Sequence, residues 1–214
     1  TSHRSLIQPV AAAARVCAAA GVPLWVDAAQ ALGQVDTATG ADAVYAVSRK
    51  WLTGPRGIGL LGIAERRWDT LRVLRPAMMA RDLPPVAYLE PHEAHVAGRV
   101  GLAVAASEYV ASGPERVTAR LAEVGRLTRA AISQVPGWAV VGAGTGAITA
   151  IRPCDGQDVA ATRARLLAEY RVLTTACGPA RAPLDLAAAV LRISAHVDCT
   201  GAALERLCDG LRNS

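Results

Sequence analysis

The sequence predicts an α/β first part joined to an α+β second part, and three observations carry that expectation. Short apolar runs that stop at polar residues alternate with helix-like segments over residues 9–63. A proline-marked passage, RPAMMARDLPPVAYLEP, interrupts the chain at residues 75–91. Beyond it two long helical segments come first, and strands and helices then alternate, the order of an α+β unit. The boundary is therefore expected near residue 80, with a partial large domain over 1–80 and a small domain over 81–214.

The first element is an alanine-rich helix over residues 9–20, ended by Gly21. PLWVDAAQ then reads as a short strand stopping at Asp27, ADAVYAVS from Ala41 as a second strand and GIGLLGI from Gly57 as a third. A charged helix-like segment follows over 65–75. After the proline passage, helices are expected over 92–112 and 114–135, with Ser112 and Glu115 in a capping-box pattern. Strands near 138–141 and 147–152, a helix near 158–170, strands near Val172 and Leu191, and a last helix from Thr200 complete the order. Two glycine patterns are deceptive. Gly57-Ile58-Gly59-Leu60-Leu61-Gly62 satisfies a dinucleotide expression, but its glycines lie inside an apolar run and not between a strand and a helix start. VGAGTGAITA joins two strand-like runs and reads as a hairpin connection.

Composition narrows the function classes. With 214 residues, 52% of them hydrophobic and 19% charged, the chain can bury a core and is not of the disordered type. The longest apolar candidate, PVAAAARVCAAAGVPLWV, is broken by Arg15 and by the Gly21 to Pro23 turn, so no membrane span is expected and the protein is expected to be cytoplasmic. The five cysteines are odd in number and contain no C-x-x-C pair, which indicates neither a disulfide framework nor a metal site. The net charge is +5, yet the arginines are spread along the chain without a basic block, so nucleic acid is not an expected partner.

Of the 23 basic residues, Lys50 is the only lysine. An amine can lose its proton and act as a nucleophile, which a guanidinium cannot. Strands that end in polar residues bring those residues to one edge of an α/β sheet, where ligands bind. Asp27 ends one such strand and Ser48, Arg49 and Lys50 end the next. A carboxylate, a hydroxyl, a guanidinium and an amine on one edge suit pyridoxal phosphate. Lys50 could form a Schiff base with its aldehyde, its amine pKa lowered by repulsion from Arg49 and Arg56. Asp27 could keep the pyridine nitrogen protonated. Ser48, Arg49 and the turn before Gly57 could donate to the phosphate.

VDAAQALGQVD followed by DAVYAVSRKWLTGPRGIGLL resembles the class V aminotransferase and cysteine desulfurase branch of the fold type I pyridoxal phosphate enzymes. The pattern Asp-x-x-Gln, a Ser and Lys strand end, then Gly-Pro-x-Gly-x-Gly carries the likeness. The resemblance implies that Asp27 meets the pyridine nitrogen, Gln30 the ring hydroxyl and Lys50 the aldehyde. It also implies that His3 sits near the cofactor and that Arg192, in VLRISAHVDCTGAALERL, grips the substrate α-carboxylate. Family members usually have histidine before the lysine and serine one place further back, whereas here Arg49 holds the histidine place and Ser48 stands one residue closer. They also carry a further upstream stretch with the phosphate-binding glycine loop, so this chain is expected to be the C-terminal part of such a fold.

Within the family, SHRSLIQPVA, SRKWLTGPRG, AHVAGRVG and VLTTACGPARAP are similar to the lyases that cleave hercynylcysteine sulfoxide to ergothioneine, pyruvate and ammonia. The implied substrate is a small sulfur compound derived from an amino acid, and the implied assembly a homodimer with its active site at the interface. Two alternatives stay open: a cysteine desulfurase with Cys177 as sulfur acceptor, on a loop before Gly178 and Pro179, and a non-catalytic incomplete piece of such an enzyme. For a trimethylammonium substrate group, Trp51, Tyr45 and Tyr88 are aromatic candidates that the sequence does not order.

Overall fold

The computed structural model describes residues 3–72, 85–90 and 94–213. The chain divides into two compact units, Pro9–Pro114 and Glu115–Ser214 with Thr1–Gln8. The boundary expected near residue 80 and most of the proline passage lie outside the described residues. Two departures from the expected domains are visible: residues 94–114 belong with the first unit, and the first eight residues belong with the second.

In the first unit, α1 (Val10–Ala19) precedes a three-stranded sheet of β1 (Trp25–Asp27), β2 (Ala43–Val47) and β3 (Gly59–Ile63). β1 and β2 are parallel, with Asp27 opposite Tyr45, and β3 returns antiparallel to β2. The GIGLLG run is thus a hairpin strand, and a Cβ on Gly59 would run into the Ala46 carbonyl oxygen. The other end of the sheet is held by Asp42, which accepts from the Leu24 N–H at 2.8 Å and from Arg67 Nε at 2.6 Å. The Arg67 hydrogen bond is the largest cause that lowers its pKa to about 2. Arg67 sits on a 3-10 helix, Glu65–Thr70, where a longer helix was expected. Its cap Leu71 is already in extended backbone.

The helix α2 (Val96–Ala111) stays with this unit because glycines let it approach the loop after β2. A Cβ on Gly101 would run into the Pro55 ring, and one on Gly54 would touch Ala105 Cβ at 3.4 Å. The helix leaves Val96, Val100 and Val104 exposed, four residues apart on one face.

The second unit contains α3 (Pro114–Ile132), β4 (Trp138–Val141), β5 (Ile148–Pro153), α4 (Val159–Tyr170), β6 (Thr175–Cys177), β7 (Val190–Ser194) and α5 (Gly201–Arg212). Its antiparallel sheet runs β4-β5-β7-β6. Alternation in β7 sorts its side chains: Leu191 and Ile193 join Ile132, Leu166, Leu207 and Leu211 in the helix-side core. Val190 turns to the opposite face, with Ala150, Cys177 and Leu186. Asp158 caps α4, accepting from the Ala160 N–H at 2.8 Å, and Thr200 caps α5.

The strand expected near Val172 begins instead at Thr175. Arg171 closes α4 in the left-handed conformation (φ 55°), and the Val172 N–H donates to the Leu166 carbonyl at 2.9 Å, so this stretch is the helix C-cap. Among the described residues no helix is long and apolar enough to cross a membrane.

Candidate functional site

Because β1 and β2 are parallel, their carboxyl ends lie at the same edge of the first unit's sheet. Asp27 is the last residue of β1, and Ser48, Arg49 and Lys50 follow the last residue of β2. The lysine sits on a closed turn. The Ser48 N–H donates to the Ile58 carbonyl at 3.1 Å, the Gly54 N–H to the Ser48 carbonyl at 3.0 Å, and the Thr53 N–H to the Lys50 carbonyl at 3.1 Å. Thr53 takes a positive φ of 56° to make that turn. Trp51 and Leu52 are buried, so Lys50 is held between an exposed Arg49 and a fixed anchor.

Ser48 departs from its expected role. It is fully buried, and its hydroxyl donates to the Pro55 carbonyl. Gly54 lies over it so closely that a Cβ there would stand 2.9 Å from Ser48 Cβ. As placed, Ser48 holds the lysine loop and does not present a donor for a phosphate. The exposed Arg49 is better disposed for that task.

Asp27 is exposed; its Oδ1 accepts from the Ala29 N–H at 2.8 Å, and Oδ2 has no partner among the described residues. That oxygen can receive a protonated ring nitrogen. Gln30 Oε1 accepts from Trp51 Nε1 at 3.2 Å, which orients the amide and directs its NH2 elsewhere as a donor. A carboxylate, an oriented amide, an amine and an exposed guanidinium around one strand edge fit pyridoxal phosphate. Of the aromatic candidates, Trp51 and Tyr88 are buried, whereas Tyr45 is 44% exposed and lies beside Asp27 on the same sheet face.

The second unit holds the other candidates. Arg192 lies inside β7, opposite Ala150 on one side and Thr175 on the other. One guanidinium nitrogen, Nη2, donates to Thr175 Oγ1 at 3.2 Å. The other two, Nε and Nη1, are buried without a partner among the described residues. Burial is the main cause that pushes the Arg192 pKa down from its ordinary value. A desolvated guanidinium with N–H donors left unsatisfied is suited to an anionic acceptor such as a carboxylate.

Cys177 is not on a loop. It is the last residue of β6, 1% exposed, and packs with Ala150, Leu186 and Val190. His3 falls in the second unit, where its Nε2 lies 3.1 Å from Asp185 Oδ2. Arg4 reaches the other Asp185 oxygen at 3.3 Å. The His3 hydrogen bond, and after it the Arg4 charge, hold the Asp185 carboxyl below its usual range.

Residues 3–5 form a strap that no local sequence pattern marks. Ser5 takes a positive φ of 55°, and its Oγ accepts from the Ala150 N–H at 2.8 Å. Gly142 and Gly144 are what allow it to pass: a Cβ on either would run into the Arg4 or the Ser5 carbonyl oxygen. The glycine-rich VGAGTG is therefore a hairpin connection, as expected, and also the seat of the strap.

Residues 4–207 match the Aminotransferase class-V family. A probable hercynylcysteine sulfoxide lyase from Mycobacterium tuberculosis is 47% identical over 98% of this chain and 54% of its own length. Among solved structures, a cysteine desulfurase from Thermococcus onnurineus covers the whole chain and 57% of its own with a TM-score of 0.86 at 20% identity, a likeness of fold. A pyridoxamine-pyruvate aminotransferase from Mesorhizobium loti, 26% identical, covers 99% of this chain and 57% of its own with a TM-score of 0.78. The chain thus spans about half the length of the relatives it matches, and its mixed α/β architecture is part of a fold type I domain pair.

Proposed function

The chain belongs to the class V aminotransferase family, and on that premise we propose that the protein is a pyridoxal phosphate-dependent carbon–sulfur lyase acting on a cysteine S-conjugate sulfoxide, with hercynylcysteine sulfoxide as its substrate. The observation that carries this is the shared strand edge of Asp27 and Lys50, fixed by the parallel pairing of β1 and β2. The bound cofactor supplies an electron sink for the pair left at the substrate Cα.

The protein's own residues supply the rest. Lys50 is the amine that holds the cofactor aldehyde and, once released, takes the Cα proton as general base. Asp27 Oδ2 keeps the ring nitrogen protonated, Gln30 donates to the ring hydroxyl and Arg49 pairs with the phosphate. Arg192 takes the substrate α-carboxylate. Loss of the Cα proton supplies the electron pair that breaks the Cβ–S bond, and sulfur leaves with the bonding pair as a sulfenate; two equivalents of an external thiol then reduce it to ergothioneine, releasing water and the thiol's disulfide. The three-carbon remainder hydrolyses to pyruvate and ammonia. His3 belongs to the same proposal as a residue near the cofactor, with Asp185 orienting its ring.

A desulfurase would need a mobile, accessible thiolate to attack the substrate sulfur. The burial of Cys177 at the end of β6 favours elimination over that route. A homodimer and a cytoplasmic location complete the proposal. The test is pyruvate release by the full-length protein, loaded with pyridoxal phosphate, from hercynylcysteine sulfoxide. Pyruvate formed one for one with substrate lost supports the lyase; alanine formed in its place, with sulfur transferred to the enzyme, would establish the desulfurase.

A further inference from the structure

An arginine that recognises an anion has to be held in place, because a side chain of that length gives up rotamer freedom when its ligand fixes it. Affinity is gained when another group fixes it beforehand. Most neighbours of Arg192 on its face of the sheet cannot do so. Ala150 lies opposite it on β5 and Val190 stands two residues before it, and both are apolar. Cys177, opposite Val190 on the same face, is buried among Ala150, Leu186 and Val190.

Thr175 is the exception. It lies opposite Arg192 on β6, so the two side chains stand on one face of the sheet, and its Oγ1 accepts from Arg192 Nη2 at 3.2 Å. Among the described residues this is the one hydrogen bond of the Arg192 guanidinium, since Nε and Nη1 have no partner there. Thr175 is half-buried, and its branched Cβ restricts rotation about χ1, so strand pairing and side-chain stiffness together fix the acceptor. A guanidinium is a rigid plane. Holding one corner of it restricts where the remaining N–H donors point.

Resting on the assignment of Arg192 to the substrate α-carboxylate, we propose that Thr175 is the positioning residue for that arginine: its hydroxyl sets the guanidinium on the sheet face before the substrate arrives. Thr175 acts through Arg192 and takes no part in the bond-breaking step.

The experiment is a double-mutant cycle on the full-length holoenzyme with hercynylcysteine sulfoxide. Thr175→Val removes the acceptor and keeps the branched shape; it should raise KM by about three- to tenfold, the scale of one net hydrogen bond, with kcat unchanged. Thr175→Ser keeps the hydroxyl and should bring KM back toward the parental value. In the Arg192→Gln background, Thr175→Val should have no further effect on KM. An unchanged KM in Thr175→Val, a fall in kcat alone, or the same rise in KM with and without Arg192 would overturn the assignment. If Arg192→Gln itself leaves KM unchanged, the α-carboxylate assignment fails and takes the positioning role with it. If the unsubstituted enzyme releases no pyruvate, the lyase reading fails, and Thr175 is then judged by calorimetry with S-methyl-L-cysteine and S-methylcysteamine, which lacks the carboxylate. A preference for the amino acid that shrinks in Thr175→Val upholds the role; an equal preference in parent and variant refutes it.

Discussion

The two units hold their charged groups in opposite ways. In residues 9–114 the chemistry sits at a strand edge on a hydrogen-bonded turn, where Lys50 is half-buried and Asp27 and Arg49 are exposed. In the second unit Arg192 is built into the middle of β7, and two of its nitrogens are buried without a partner among the described residues. The difference matches the proposed tasks. A group that must gain and lose a proton at each turnover needs access to solvent and partners that can move. A group that only has to recognise an anion gains from desolvation, because its attraction for a carboxylate strengthens as the local dielectric falls. Buried N–H groups without a partner among the described residues cost stability, which a carboxylate bound as proposed would restore.

The largest effect that can break this comparison is at the amine. Lys50→Ala should lower kcat for pyruvate release by about 10³-fold or more, the scale of a lost nucleophile and general base, with an unchanged far-ultraviolet circular dichroism spectrum. Arg192→Gln should act on KM, raising it by about 10- to 100-fold with a smaller change in kcat. Arg192→Met sharpens the contrast further: it should also weaken binding, yet hold or raise the melting temperature, since it removes buried N–H groups that lack partners.

Asp42→Asn probes structure alone. The folded carboxyl titrates at about 2 against 3.8 for its ordinary value, so its stabilisation is fully present above 3.8 and is lost as pH falls toward 2. Melting temperatures of the parent and the variant should differ by a constant amount above about pH 5 and converge at the acid end. Cys177→Ala should have the smallest effect on catalysis. Pyruvate release should persist at close to the parental rate, while stability falls by about 1 kcal/mol for a small buried side chain.

Much of this organisation is legible in the residues. Lys50 stands out as a single lysine among arginines just after an apolar strand, and Asp27 as the polar end of the strand before it, whereas Gln30 is marked only by the family resemblance. The helix starts near Asp158 and Thr200 follow from capping chemistry. What is not legible depends on long-range packing. Ser48 reads as a phosphate donor from its neighbours, but the Pro55 carbonyl, seven residues on, takes its hydroxyl. Cys177 reads as a loop thiol from its Gly-Pro flank, yet strand pairing with Val190 buries it. The strap at His3 to Ser5 depends on contacts with Ala150 and Asp185, 145 and 182 residues away, which no local pattern could announce. The glycines at 142 and 144 are the available signal, since two glycines in one short connection can mark a close backbone approach.

The central claim is that Lys50 carries the cofactor. It is tested most directly by incubating the full-length protein with pyridoxal phosphate, reducing with borohydride and locating the pyridoxyl group by peptide mass spectrometry. The account predicts one adduct, on the peptide containing Lys50. An adduct on another residue, or none on a folded full-length protein, would contradict it.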